Sequence, residues 1–134
     1  MGDRVLDLLR NARTIAVVGL SSDLGNPSHE VAAYLQSRGY RIIPVNPSVS
    51  EVLGEKAYPS LTEAAKENEV DIVDVFRRVD AVSGIVDEVL ALELPALWLQ
   101  ETVVDEAAAE RARQAGVLVV MDRCIMKEHR RYGL

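Results

Sequence analysis

Several things are scarce in this chain, and each scarcity excludes something. One cysteine, Cys124, stands among 134 residues, so no internal disulfide framework can form, which fits a reducing compartment. Aromatic side chains make up 4% of the composition, so a core has to be assembled from Val, Leu, Ile and Ala. Positive charge is outnumbered. The 15 Lys and Arg face 21 Asp and Glu, and a net charge of −6 argues against a broad nucleic-acid surface. No apolar run reaches the roughly 20 residues that a membrane span requires. The opening segment MGDRVLDLLRNAR has no apolar signal core, so the expected location is the cytoplasm. The two histidines, His29 and His129, and the one cysteine fall at no metal-ligand spacing. Two phosphate-binding fingerprints are also missing, G-x-G-x-x-G and the P-loop with its Lys-Ser/Thr pair.

What is present describes a folded α/β chain. Hydrophobic residues are 49% and charged residues 27%, which excludes disorder. A chain of this length buries roughly 68% of its unfolded surface without staples, and residues 1–134 read as one domain. Short apolar runs at 14–19 (TIAVVG), 40–45 (YRIIPV), 71–76 (DIVDVF), 96–100 (ALWLQ) and 117–121 (VLVVM) read as strands. Pro44 inside the second run places it at a sheet edge or at the end of its ladder. Between the runs, helical spacing appears at 4–11, 27–38, 61–68, 80–92 and 105–115. A short helix is expected in the tail 123–131, with His129 exposed, and the stretch 46–59 reads as a long turn-rich connection. This alternation implies a doubly wound α/β domain with a mainly parallel sheet of five or six strands. Ligands of such sheets lie beyond the carboxyl ends of the strands, where strand order reverses.

The segments that follow the strands therefore carry the candidate chemistry. After the first comes Gly19-Leu20-Ser21-Ser22-Asp23-Leu24-Gly25, leading through Asn26, Pro27 and Ser28 into a helix. Glycine allows close backbone approach to a phosphate, serine hydroxyls can donate to it, and a helix N-terminus offers free N–H groups. An ordinary capped turn is the competing reading. After the second strand comes Val45-Asn46-Pro47. An NAD site usually has Asp or Glu here for the ribose hydroxyls, so Asn46 weighs against NAD. After the third comes Phe76-Arg77-Arg78, whose guanidinium groups suit phosphates, unless they simply face the acidic helix that follows. Gln100 and Glu101 end the fourth strand. Cys124 reads as a buried small hydrophobe, Trp98 as core, and Asp122 with Arg123 as an ion pair or loop anchor.

In this order and spacing, IAVVGLSS, NPSHEVAAYLQSRGY, IIPVNP, EVLGEKAYPSL, VDIVDVFRR, LWLQ and VVMDRC resemble the small stand-alone CoA-binding proteins of bacteria and archaea. Those proteins are similar to the CoA-binding domain of the succinyl-CoA synthetase alpha subunit. The resemblance runs from about residue 14 to 129 and implies a Rossmann-like domain with CoA over the strand ends. It implies that Gly19, Ser21 and Ser22 cradle the phosphates or the pantetheine arm, and Leu20, Asn26, Pro27 and Ser28 of the same segment are candidate binding residues beside them. It places Val45, Asn46 and Pro47 at the adenosine, Phe76 and Arg77 at the pyrophosphate, with Arg78 a further candidate beside them, and Gln100 along the pantetheine. Two positions depart from the pattern. Asn26 stands where Arg or Lys is usual, and Glu101-Thr102 replaces a small residue and Gly. The phosphohistidine domain and partner subunit of the synthetases have no counterpart, so the implied function is CoA or acyl-CoA binding without catalysis. The alternatives are a nicotinamide-dependent oxidoreductase and a partner-binding subunit with a vestigial crevice. CoA or acyl-CoA is the expected partner, with no nucleic acid, membrane or metal, and a protein partner is left open.

Overall fold

The structure is a computed structural model that describes residues 3–134. The apolar runs form five parallel strands: β1 (Thr14–Val18), β2 (Arg41–Val45), β5 (Ile72–Val75), β6 (Ala96–Leu99) and β7 (Leu118–Val120). Their order in the sheet is β2-β1-β5-β6-β7. β2 is an edge strand, as Pro44 requires, because its missing N–H leaves no ladder bond unmade there.

Strand side chains alternate between two apolar layers. Ala16, Val18, Val73, Val75, Leu97 and Leu99 pack towards α3 (Leu61–Glu67), α4 (Val82–Ala91) and α5 (Glu106–Gln114). Ile15, Val17, Ile72 and Trp98 pack towards α1 (Arg4–Asn11), α2 (Pro27–Ser37) and α6 (Ile125–Arg131). Strands covered on both faces read as continuous apolar runs, which is why they stood out in the sequence. Trp98 is fully buried and its indole N–H donates to the Arg123 carbonyl at 2.8 Å, fixing the turn after β7.

Three expectations are corrected. The stretch 46–59 contains a hairpin, β3 (Glu51–Val52) against β4 (Glu55–Lys56), in addition to turns. Leu53 and Gly54 both have positive φ, at 56° and 76°, which suits a two-residue hairpin turn, and strands of two residues are too short to show periodicity. The helix expected at 80–92 begins as a 3-10 turn, Val79–Ala81. His129 is buried rather than exposed, because α6 packs it against Tyr34 and Tyr40. No helix among the described residues is long and apolar enough to cross a membrane.

Candidate functional site

β1 connects to β2 on one side, and the chain then crosses to β5 on the other side of β1. Beyond the carboxyl ends of β1, β5 and β6 lies a groove of about 620 Å³. Its position is where ligands of open parallel sheets bind. Seven of the residues expected to bind CoA line it: Gly19, Asn26, Pro27, Phe76, Arg77, Arg78 and Gln100.

Gly19 is fixed by geometry. Its φ is +89°, and a Cβ there would lie 2.3 Å from the Phe76 carbonyl oxygen and 2.9 Å from Arg77 Cδ. The ends of β1 and β5 thus approach so closely that only glycine fits, and the Arg77 stem passes over it. Arg77 forms no ion pair among the described residues, and Arg78 has only a 4.0 Å contact with Asp80 between exposed side chains. An unpaired guanidinium at the switch point is free to take an anion.

The loop after β1 is held from behind. The Ser21 N–H donates to Ser28 Oγ at 3.0 Å, and Ser28 O–H donates to Asn26 Oδ1 at 2.8 Å. Ser28 is buried, so it braces the loop and does not line the groove. The expected free donors of the α2 N-terminus are absent. Pro27 has no N–H, Asn26 Oδ1 takes the Ser28 N–H, and the Asn26 carbonyl takes those of His29 and Glu30. In the loop itself, the Leu20 and Ser22 N–H groups make no hydrogen bond among the described residues. Leu20 is fully buried, so of these two only the exposed Ser22 can meet a ligand. The unpaired Arg77 guanidinium beside the Gly19 cradle is the group within the groove that suits a phosphate oxygen, and in that respect the residues present fit a phosphate-bearing cofactor.

Leu20 points into the core, and Val45 is buried in the opposite layer. Asn46 is spent on structure. Its Nδ2 donates to the Leu20 carbonyl at 3.0 Å and its Oδ1 accepts from the Ser48 N–H at 2.8 Å, tying the β1 and β2 loops together. Leu20, Ser21, Ser22, Val45, Asn46 and Pro47 are not among the lining residues.

At the other wall, Gln100 is buried and its Oε1 accepts from the Ile125 N–H at 3.1 Å, anchoring the start of α6. Glu101 lines the groove, and its carboxylate is bound by Lys127 Nζ at 3.0 Å, which holds the Lys127 pKa above its ordinary value. Thr102 has φ 70°, uncommon for a β-branched residue, and its N–H donates to Asp122 Oδ1 at 2.7 Å. Asp122 is thus a loop anchor, while Arg123 pairs with Glu128 instead.

Val31, Val79, Val103 and Cys124 complete an apolar wall that the sequence reading did not assign to the site. Val31 lies one helical turn after Pro27, and the other three follow strand ends, the signal by which they could have been found. Cys124 is buried, as expected. Among the described residues no His, Cys, Asp and Glu gather into a metal-ligating group.

Comparison with known proteins identifies the family and the fold. A family model described as a CoA binding domain matches residues 13–130. The uncharacterized protein YneT of Bacillus subtilis is 41% identical over 125 residues, covering 93% of this chain and 91% of that protein. A solved structure from Thermus thermophilus, cell-free ID.343, superposes with a TM-score of 0.90 at 42% identity, covering 98% of each chain. An ADP-forming acetate–CoA ligase II of Archaeoglobus fulgidus is 32% identical over 81 residues, 59% of this chain but 11% of the ligase.

Proposed function

The chain belongs to the CoA-binding domain family, and we propose that it binds CoA or acyl-CoA in the groove over β1, β5 and β6 as a non-catalytic module. The observation that carries this reading is the unpaired Arg77 laid across Gly19 at the switch point. Arg77 would take the pyrophosphate oxygens by charge-assisted hydrogen bonds, and the exposed Ser22 N–H of the loop after β1 is the second candidate donor. Val79, Val103 and Cys124 would give the pantetheine arm an apolar wall, and the Gln100 amide a polar partner. Lys127 neutralises Glu101 and so reduces its repulsion of a polyanion. A non-catalytic role is supported by the groove's hydroxyl and thiol groups: neither Thr102 nor Cys124 hydrogen-bonds a histidine or carboxylate through its side chain among the described residues.

Calorimetric titration of ligand-stripped protein with CoA, acetyl-CoA, NAD and ADP tests this. Saturable CoA binding is expected, with Arg77→Ala weakening it at least about tenfold, the value of one lost charge-assisted contact. NAD is expected not to compete, because Asn46 replaces a ribose acid and its side chain is already engaged. CoA failing to bind at millimolar concentration, or binding equally well to Arg77→Ala, contradicts the proposal.

A further inference from the structure

A second cavity, of about 410 Å³, opens at the opposite edge of the sheet, where β1 and β2 begin. A five-residue strand is about 16 Å long, so this cavity is separate from the groove. In a chain of net charge −6, it gathers positive charge. Arg10, Arg13 and Arg38 line it together with Tyr40, His129 and the last residue, Leu134. The guanidinium groups of Arg38 and Arg130 both lie against the Tyr34 ring, 5.3 and 4.8 Å from its centroid. None of these four arginines has a carboxylate within 4.0 Å among the described residues. Asp71, the neighbouring acid, accepts the Arg13 and Thr14 backbone N–H groups at 2.9 and 3.0 Å.

The second observation is His129, 3% exposed and lining the cavity. Its Nδ1 lies 2.7 Å from the Tyr34 hydroxyl, and its Nε2 has no hydrogen-bond partner among the described residues. With the Tyr34 O–H donating to Nδ1, Nε2 carries a proton and can donate to a ligand.

We propose that this cavity is a second anion site that takes the phosphate group of a small molecule, held by Arg10, Arg13, Arg38 and the Nε2 of His129. Guanidinium forks match phosphate oxygens in pairs, and several cations around one pocket suit a dianion better than a single carboxylate. The groups facing His129 are Tyr34 from α2 and Arg38 just after it, Tyr40 before β2, Arg10 and Arg13 flanking the α1–β1 turn, Arg130 on its own helix, and Leu134, whose N–H donates to the His129 carbonyl. Burial, and then the Arg38 charge, hold its pKa below the ordinary value. A bound anion opposes both effects and is expected to raise it.

The test is an NMR titration with inorganic phosphate at constant ionic strength, following the His129 ring and the Arg13 and Gly39 amides. Saturable shifts at these positions and a rise in the His129 pKa are expected, and both should persist in Arg77→Ala, which removes the groove's own phosphate-binding cation. The exposed double change Arg13→Ala with Arg38→Ala should weaken binding at least about tenfold while leaving CoA binding in the groove intact. Arg10→Gln, a milder change at an exposed position, should weaken it less. A parallel titration with adenosine monophosphate assigns the source: tighter binding at the same residues identifies a phosphate ester, weaker binding the free ion, and either supports the site. Unsaturable shifts, an equal response to chloride (an adventitious ion only), or binding of polyglutamate without phosphate would overturn it. The groove is not involved, so failure here leaves the CoA reading standing, and failure of CoA binding leaves this site standing.

Discussion

Gly19 is the residue on which the site's geometry turns. A side chain there meets two obstacles, a left-handed backbone and the Phe76 carbonyl 2.3 Å from where its Cβ would be. The first costs about 1–2 kcal/mol, and the second can be relieved only by moving the end of β5. Gly19→Ala is therefore expected to lower the melting temperature and also to reduce CoA affinity, because Arg77 moves with Phe76. A full-affinity, normally stable variant would contradict this. Asp74 poses a different problem at the same scale. It is fully buried between Val17 and Trp98 in the sheet, and neither carboxylate oxygen has a hydrogen-bond partner among the described residues. Burial pushes its pKa well above the ordinary value of 3.8. Between that value and the folded one, the unfolded chain has lost the proton and the folded chain has kept it, so stability falls as pH rises. Asp74→Asn should remove this slope. The variant is expected to melt above the parent at neutral pH, by several degrees, with the gap closing as pH falls towards 3.8. A gap that is constant with pH would show that the carboxyl titrates alike in both states.

Among the elements, α2 shows a trade between capping and charge. Asn26 caps the helix through the Ser28 N–H at 2.9 Å and braces the loop through Ser28 Oγ. The family pattern has Arg or Lys there. Asn26→Lys is expected to lose the cap, at about 1 kcal/mol, and to gain several-fold in CoA affinity from a cation beside the groove. Thermal melting and calorimetry on the same sample check both, and unchanged affinity would mean that position 26 does not face the ligand. The elements also show what the sequence could and could not reveal. Doubly covered strands such as TIAVV and ALWL stood out because both faces are apolar. The β3–β4 hairpin did not, since a strand of two residues has no period. Nor did the fate of the helix-start donors: the Ser28 N–H depends on the Asn26 rotamer, and those of His29 and Glu30 on the backbone at Asn26. Burial of His129 was legible in principle, since Ile125, Met126 and His129 share a face of α6, but the polar run KEHRR masked it.

For the whole molecule, the order β2-β1-β5-β6-β7 converts scattered segments into one site. Gly19, Phe76, Arg77 and Gln100 are separated in sequence by up to 81 positions, yet each follows a strand in a sheet whose strands run parallel, so their side of the molecule was readable from the alternation alone. Segment order could not say which of them share a wall. Leu20, Val45 and Asn46 also follow or end strands, but hydrophobic burial and the β1–β2 latch turn their side chains away from the groove. The same topology leaves the far edge of the sheet to Arg10, Arg13 and Arg38, so one acidic molecule carries positive charge at both ends. Amide chemical-shift mapping with CoA tests the placement of the ligand most directly. Shifts concentrated at Gly19, Leu20, Ser22, Arg77, Gln100 and Val103 are the predicted result. Shifts confined to Arg13, Gly39 and their neighbours at the other edge, or no saturable shifts, would contradict it.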